Sequence, residues 1–343
     1  IPLGEASFFA KAVYLKNILL IGVVYFLGRN IEINAEKFNF IKKSILMVFL
    51  LAFIVSTFEF LTGFHLHSLL DYGNYNLEVN GIEPSGNYGL SWSFERTPDR
   101  PRFASFFPNP LEFSANLLLF LSIPLYAIIH KSRVLNFNLT ISLFISICFF
   151  YAYTRASIIS AFFMIFLALL ISKNYKVLIK IFSLIFFSLI MFFIFSEEDS
   201  LYFILDTLMF RESSSLSHLL EWIQSILSII ENPFGIGLAM SGNASTVDQS
   251  IKIGGENQFL IYGVQMGIFS ILVYSLMLYK SISNSFYAYR NSKNFKKEIC
   301  FIAGITKFGL IIPLVTSNAE LALYISLISW LLIGNVQRIL IKI

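Results

Sequence analysis

Arg155 is the only charged residue between Val134 and Ser172. It sits in Tyr153-Thr154-Arg155-Ala156-Ser157, where a tight turn would ordinarily use Gly, Asn or Pro. An ionisable group at this depth in an apolar run is costly. Two readings stand. The side chain snorkels to lipid phosphates, or it clamps a phosphorylated substrate, because planar guanidinium donors match phosphate oxygens two at a time. Arg211, in Met209-Phe210-Arg211-Glu212, either pairs with Glu212 or adds to such a clamp. Arg96, Arg100 and Arg102 form a third basic group, with Glu95 and Asp99 present to neutralise part of it. Glu256, in Gly254-Gly255-Glu256-Asn257, stands before an apolar run. There it either favours the dipole of a helix N-terminus or accepts a proton as a general base.

Other chemistry is poorly supplied. His65 and His67 are too few to hold a metal by themselves. Cys148 and Cys300 lie inside apolar runs and form no disulfide framework. No phosphate-binding glycine loop and no His-Glu-x-x-His pattern occurs. No cofactor or metal is therefore expected. Lys307 lies within an apolar run with no partner evident in sequence.

The elements that must position these residues are membrane spans. Of 343 residues, 56% are hydrophobic, 17% aromatic and only 13% charged. That charged share is about half the usual one, and mean hydropathy is +0.72. A soluble enzyme, a disordered chain and a nucleic-acid binder are excluded. The expected fold is all-α: a single polytopic membrane domain over 1–343. About nine spans are expected, near 12–28, 44–63, 109–129, 134–153, 156–172, 177–195, 257–279, 299–316 and 319–336. If the 29–43 loop is cytoplasmic, sixteen of the 25 Lys and Arg residues fall in short inner loops. The C-terminus is then inside. Two long extracytoplasmic loops result, 64–108 and 196–256. Long loops between tight hairpins suggest a working face outside the membrane, and the five arginines there suggest an anionic substrate.

Within the second loop the polar residues Ser217, Glu221, Gln224, Ser228 and Glu231 recur at helical spacing. Leu216, Leu219, Leu220, Ile223, Ile226, Leu227 and Ile230 fill the other face. Ser215 is a suitable N-cap, and Asn232-Pro233 ends the pattern. Such a helix should lie along the outer membrane surface or against the bundle.

Four pieces resemble the bacterial O-antigen polymerase and O-antigen ligase superfamily of lipid-linked glycan transferases. Arg102-Phe103-Ala104-Ser105-Phe106-Phe107-Pro108-Asn109-Pro110 is similar to the family's Arg-x-x-Gly-x-Phe-x-x-Pro-Asn entry to a span. Ala or Ser stands where Gly is usual. Thr154-Arg155-Ala156-Ser157 resembles its Ser-Arg-Gly/Ser hairpin. Arg211, Trp222 and Glu231-Asn232-Pro233-Phe234-Gly235-Ile236-Gly237 resemble its Arg…Trp…Asn-Pro-x-x-Gly-x-Gly loop. Glu256-Asn257, followed nine residues later by Gly267-Ile268-Phe269-Ser270, resembles the ligases' His-Asn/Ser…Gly-x-x-Gly, with Glu in place of His.

The resemblance covers roughly 12–336 and implies a bundle of about twelve spans whose first three or so precede this chain. It implies a glycan carried on undecaprenyl pyrophosphate in the outer leaflet of the bacterial cytoplasmic membrane. Arg155 and Arg211 would hold the pyrophosphate, with Arg102 and Arg100 beside them. Glu256 would take the proton of the attacking hydroxyl, and Asn257 and Trp222 would contact sugar. Membrane lipids, a flippase and a chain-length regulator are the expected partners. Glu in place of the ligases' His turns the reading toward polymerase. A ligase and a flippase for the same lipid-linked glycan remain the alternatives.

Overall fold

A computed structural model describes residues 4–80, 83–97, 100–130, 135–173, 213–242 and 251–342. The expected span 177–195, and Arg211 with it, lie outside the described residues. The chain is an all-α membrane protein. Its helices are α1 (Phe8–Asn30), α2 (Ala35–Thr62), α3 (Leu66–Leu69), α4 (Tyr72–Asn80), α5 (Pro110–His130), α6 (Leu135–Ala152), α7 (Arg155–Ile171), α8 (Ser213–Glu231), α9 (Gln258–Met266), α10 (Ile268–Asn291), α11 (Asn294–Gly309), α12 (Ile311–Thr316) and α13 (Leu323–Ile341). The strands among the described residues, β1 (Glu95–Thr97) and β2 (Arg100–Pro101), make one short antiparallel pair.

Five helical segments are long and apolar enough to cross a membrane: α1, α2, α5, α11 with α12, and α13. α6 and α7 are apolar but shorter. The expected 257–279 span is broken. Gly267 takes φ +85° and separates α9 from α10. The second half of α10 carries Lys280, Asn284 and Arg290, too polar for hydrocarbon. The expected 299–316 span bends at Leu310, where α11 gives way to α12.

α5 is the axis of the bundle and packs against α2, α6, α7, α11 and α13. In its apolar window 78% of residues are buried, against 17% in α1. α1 therefore lines the rim, where apolar residues all round face lipid. Asn109 starts α5 by accepting the Glu112 N–H at 2.9 Å. Ser114 Oγ and Ser157 Oγ, 2.9 Å apart, pin the first turn of α7 to α5.

Lys307, for which the sequence offers no partner, has one. Its Nζ lies 3.4 Å from Glu320 Oε1 and 3.9 Å from the centroid of the Trp330 ring. The Glu320 carboxylate also accepts from Ser326 Oγ at 2.8 Å, from the Trp330 indole and from the Tyr274 hydroxyl. Both ions are fully buried. A buried pair is tolerated only with such a complete shell of hydrogen bonds.

The first long connection folds into a layer over one end of the bundle. The Glu59 carboxylate at the end of α2 accepts the N–H groups of Leu66 at 2.9 Å and Ser105 at 2.8 Å, tying both ends of the connection together. His65 is fully buried, stacked on Phe103 and edge-on to Tyr88 and Phe94. His67 Nε2 lies 2.8 Å from the Phe107 carbonyl oxygen. Burial lowers the pKa of both, His65 to about 4, with the neighbouring His67 adding to the shift. Both are neutral packing residues. At the opposite end, Lys42 pairs with Glu298 at 2.6 Å, and Arg338 and Lys342 pair with Glu32 at 3.2 and 3.3 Å.

Candidate functional site

The polar groups that could do chemistry gather at the end of the bundle covered by the first connection. The connection brings its own arginines to the α6–α7 turn. Phe103 N donates to the Tyr151 carbonyl at 3.1 Å, and Arg100 Nη1 donates to the Tyr153 hydroxyl at 2.9 Å. Arg102 N donates to the Phe94 carbonyl at 2.8 Å, which fixes the short loop carrying both arginines. Arg100, Arg102 and Arg155 therefore share one corner, although 53 residues separate Arg100 from Tyr153.

The turn itself is strained. Tyr153 takes φ +45°, a conformation that costs a non-glycine residue about 1 kcal/mol or more. Arg155 is the first residue of α7, and Thr154 before it makes no capping hydrogen bond. A cation at the positive end of a helix dipole is opposed by it. An anion bound there would relieve the opposition.

The second cluster is built by α8. Its polar face turns inward onto the segment that leads into α9. His218 Nδ1 pairs with Glu256 Oε2. Glu221 pairs with Lys252 at 3.9 Å, and burial raises the Glu221 pKa while Lys252 opposes the rise. Ser225 meets Gly254, where a Cβ would stand 1.9 Å from Ser225 Oγ. The inward stripe is thus His218, Glu221, Ser225 and Ser228, rotated from the expected Ser217, Glu221, Gln224, Ser228 and Glu231. Ser217, Gln224 and Glu231 are exposed. Leu216, Leu220, Ile223, Ile226, Leu227 and Ile230 point away from the rest of the described chain. In a membrane protein such a face suits the apolar side of the interface.

The glycines of the third and fourth sequence pieces meet. Gly235 and Gly267 both take φ +85°, and a Cβ on Gly235 would stand 2.6 Å from Gly267 N. Ile236 N donates to Val264 O at 2.8 Å and Ile268 N to Pro233 O at 3.0 Å. The Asn232–Gly237 turn is thereby locked against the break between α9 and α10. The buried Gln265 amide holds the next residues, accepting from Ala239 N at 3.1 Å and donating to Ser241 O at 2.7 Å.

Asn257 is the N-cap of α9. Its Oδ1 accepts from Phe259 N at 3.0 Å and Leu260 N at 3.2 Å. The cap fixes the preceding Glu256, which is 8% exposed. Trp222 lies one helical turn beyond His218, half-buried, with its indole N–H lacking a hydrogen-bond partner among the described residues. Thr154 Oγ1, Gln258 Oε1 and the Asn318 side-chain amide are buried and unpartnered in the same sense. Each such atom costs about 1–3 kcal/mol when left unsatisfied. α8 packs on α9, α9 on α12 and α12 on α7. That chain of contacts links the His218–Glu256 pair to the arginine corner.

The structure thus brings the loop of Arg100 and Arg102 to the turn that carries Arg155, and sets Glu256 and Asn257 against His218, one turn of α8 before Trp222. Arg211 lies outside the described residues. Arg96 is on β1, and its side chain is likewise outside the description. His218, Gln258 and Asn318 escaped the sequence reading. His218 is a polar residue within the α8 pattern, and that was the signal available.

Residues 140–275 match the family model described as O-antigen ligase. The matched stretch includes Arg155, the whole of α8, the Asn232–Gly237 turn and Glu256. No curated protein and no solved structure matches the chain.

Proposed function

From the premise that this match over residues 140–275 puts the chain in the O-antigen polymerase and ligase superfamily, we propose that it is a surface-polysaccharide polymerase. The reaction joins oligosaccharide repeat units carried on undecaprenyl pyrophosphate. The observation that carries the proposal is the arginine corner. Arg155 opens α7 against its own dipole, and Arg100 and Arg102 are delivered to the same turn by a separate connection. Arginines so placed hold a pyrophosphate and stabilise the charge that grows on it as it leaves. Because that charge is larger in the transition state than in the bound donor, the interaction raises the rate and not only the affinity.

In this account Arg211 joins Arg155, with Arg102 and Arg100 on the diphosphate, and no metal is required. Glu256 lies at the place where the acceptor hydroxyl gives up its proton, and Trp222 and Asn257 flank the sugars. The site end of the bundle faces outward, and the basic end, with Lys42, Arg338 and Lys342, faces the cytoplasm together with the C-terminus. The exposed apolar face of α8 lies at the outer leaflet, where the polyprenyl chain arrives. A flippase supplies the donor and a chain-length regulator limits the product.

Ligation of the glycan to a separate acceptor is the second reading, and the description of the matched family favours it. Deleting the gene in the producing strain separates the possibilities. Single repeat units on the normal acceptor, with long chains gone, support the polymerase. Long chains stranded on the lipid carrier support the ligase. Repeat units trapped on the cytoplasmic side would point to a flippase, and an unchanged glycan profile would refute all three.

A further inference from the structure

The basic end of the bundle, opposite the arginine corner, holds a cavity of about 290 Å³. That is near the lower end of the range for ligand pockets. It lies where α10 ends, α11 begins and α13 ends, and its lining includes Ser292, Lys293, Phe295, Lys296, Ile339 and Lys342. We infer that this cavity binds a phosphate group, and that an anionic membrane phospholipid supplies it.

The start of α11 is uncapped. Its N-cap residue is Lys293, whose side chain has no acceptor atom and makes no capping bond. The first N–H groups of a helix lack intrahelical acceptors. No described residue accepts from those of Asn294, Phe295 or Lys296. Together with the helix dipole they favour an anion.

Ser292 is 9% exposed, and its Oγ has no hydrogen-bond partner among the described residues. The Cys300 thiol lies beside it, outside hydrogen-bond geometry. A buried hydroxyl left unpaired is costly, and a phosphate oxygen would accept from it.

The cavity is also positive. Lys293 and Lys296 are exposed and make no ion pair with a described residue. The nearby carboxylates are taken: Glu298 pairs with Lys42, and Glu32 with Arg338 and Lys342. Lysines of an inner loop would make this end basic in any case. They would not explain a cavity that joins an uncapped helix to a buried, unpaired hydroxyl.

The lipid source follows from depth. The α11–α12 segment and α13 are each long and apolar enough to cross a membrane. The start of α11 and the end of α13 therefore lie at the level of lipid headgroups. Phe295 and Ile339 add an apolar wall for the glycerol end of the lipid.

The test is native mass spectrometry of the full-length protein in detergent, titrated in turn with phosphatidylglycerol, phosphatidylcholine and inorganic phosphate. Wild type should retain phosphatidylglycerol in preference to phosphatidylcholine. The double variant Lys293→Gln/Lys296→Gln should bind it about 10–30-fold more weakly, and Ser292→Ala a few-fold more weakly. Both lysines are exposed, so the double variant should unfold at the wild-type temperature. The control Lys37→Gln/Lys43→Gln removes the same charge from exposed positions on α2 and should bind as wild type does. Unchanged affinity in Lys293→Gln/Lys296→Gln overturns the inference. An equal loss in the α2 control also overturns it, because the attraction would then belong to the whole basic surface. Inorganic phosphate bound with this lysine dependence, while phosphatidylglycerol is not retained, overturns the lipid source. No transfer reaction enters the test, so its outcome is independent of the polymerase reading.

Discussion

The two long connections handle histidine in opposite ways. In the first, His65 is closed in by Phe103, Tyr88 and Phe94, and burial pushes its pKa down to about 4. It stays neutral and acts as an aromatic plate. In the second, His218 is a third exposed and lies on a carboxylate. Two of the buried carboxylates, Glu320 and Glu256, differ in the same way. Glu320 receives Lys307, Tyr274, Trp330 and Ser326, which fill its shell. Glu256 receives the His218 ring. A filled shell fixes Glu320 in the fold, whereas Glu256 lies against a ring that is itself a third exposed. Residue type alone does not distinguish these roles; the surroundings do.

The contrast can be broken first at Glu320. Lys307→Met strands a buried carboxylate and should cost about 3–5 kcal/mol of stability, read as a fall in thermal unfolding temperature in detergent. Adding Glu320→Gln removes the stranded charge, keeps an acceptor for Trp330 and Ser326 while its amide can donate to the Tyr274 oxygen, and should recover most of the loss. Equal damage from both variants would mean that the charge pair is not what matters. At the arginine corner the expected damage is to rate. Arg155→Ala should reduce transfer by about 10²–10³-fold while insertion and unfolding temperature stay near wild type.

Acidification sharpens the comparison of the histidines. His65 in the folded chain has a pKa near 4, below the unfolded value of about 6.5. The unfolded connection therefore binds the proton first, and stability present above pH 6.5 is lost as pH falls toward 4. The shift corresponds to roughly 3 kcal/mol, with the lowered pKa of His67 adding in the same direction. Hydrogen exchange over 64–108 should accelerate across this window, and His65→Phe should blunt the effect. The smallest effect is expected at Arg100. Removing its hydrogen bond to Tyr153, by Tyr153→Phe, should cost about 1 kcal/mol or less, a few-fold loss in kcat/KM.

Much of this was legible in sequence. The apolar runs placed α1, α2, α5 and α13, because lipid demands long uncharged helices. Asn109 before α5 and Asn232-Pro233 after α8 marked helix ends through their own backbone chemistry. Gly235 and Gly267 were visible as a pattern, and the structure gives its reason: two positive-φ turns in backbone contact. The break of 257–279 was hidden, because a single Gly within an apolar run is compatible with a continuous helix. The inward face of α8 was also hidden. Helical spacing fixes which residues share a face but not which face meets the chain, and an apolar face turned to lipid inverts the rule learned from soluble proteins. Pairs such as His218–Glu256 and Lys307–Glu320 depend on how helices stack, which periodicity does not encode.

The most direct test of the account is polymer formation by the purified full-length protein given a single lipid-pyrophosphate-linked repeat unit and no other protein. The account predicts a ladder of products that remain on the lipid carrier, present with wild type and absent with Arg155→Ala. A wild-type protein that leaves the repeat unit unextended, or an Arg155→Ala protein that makes the same ladder, would contradict it.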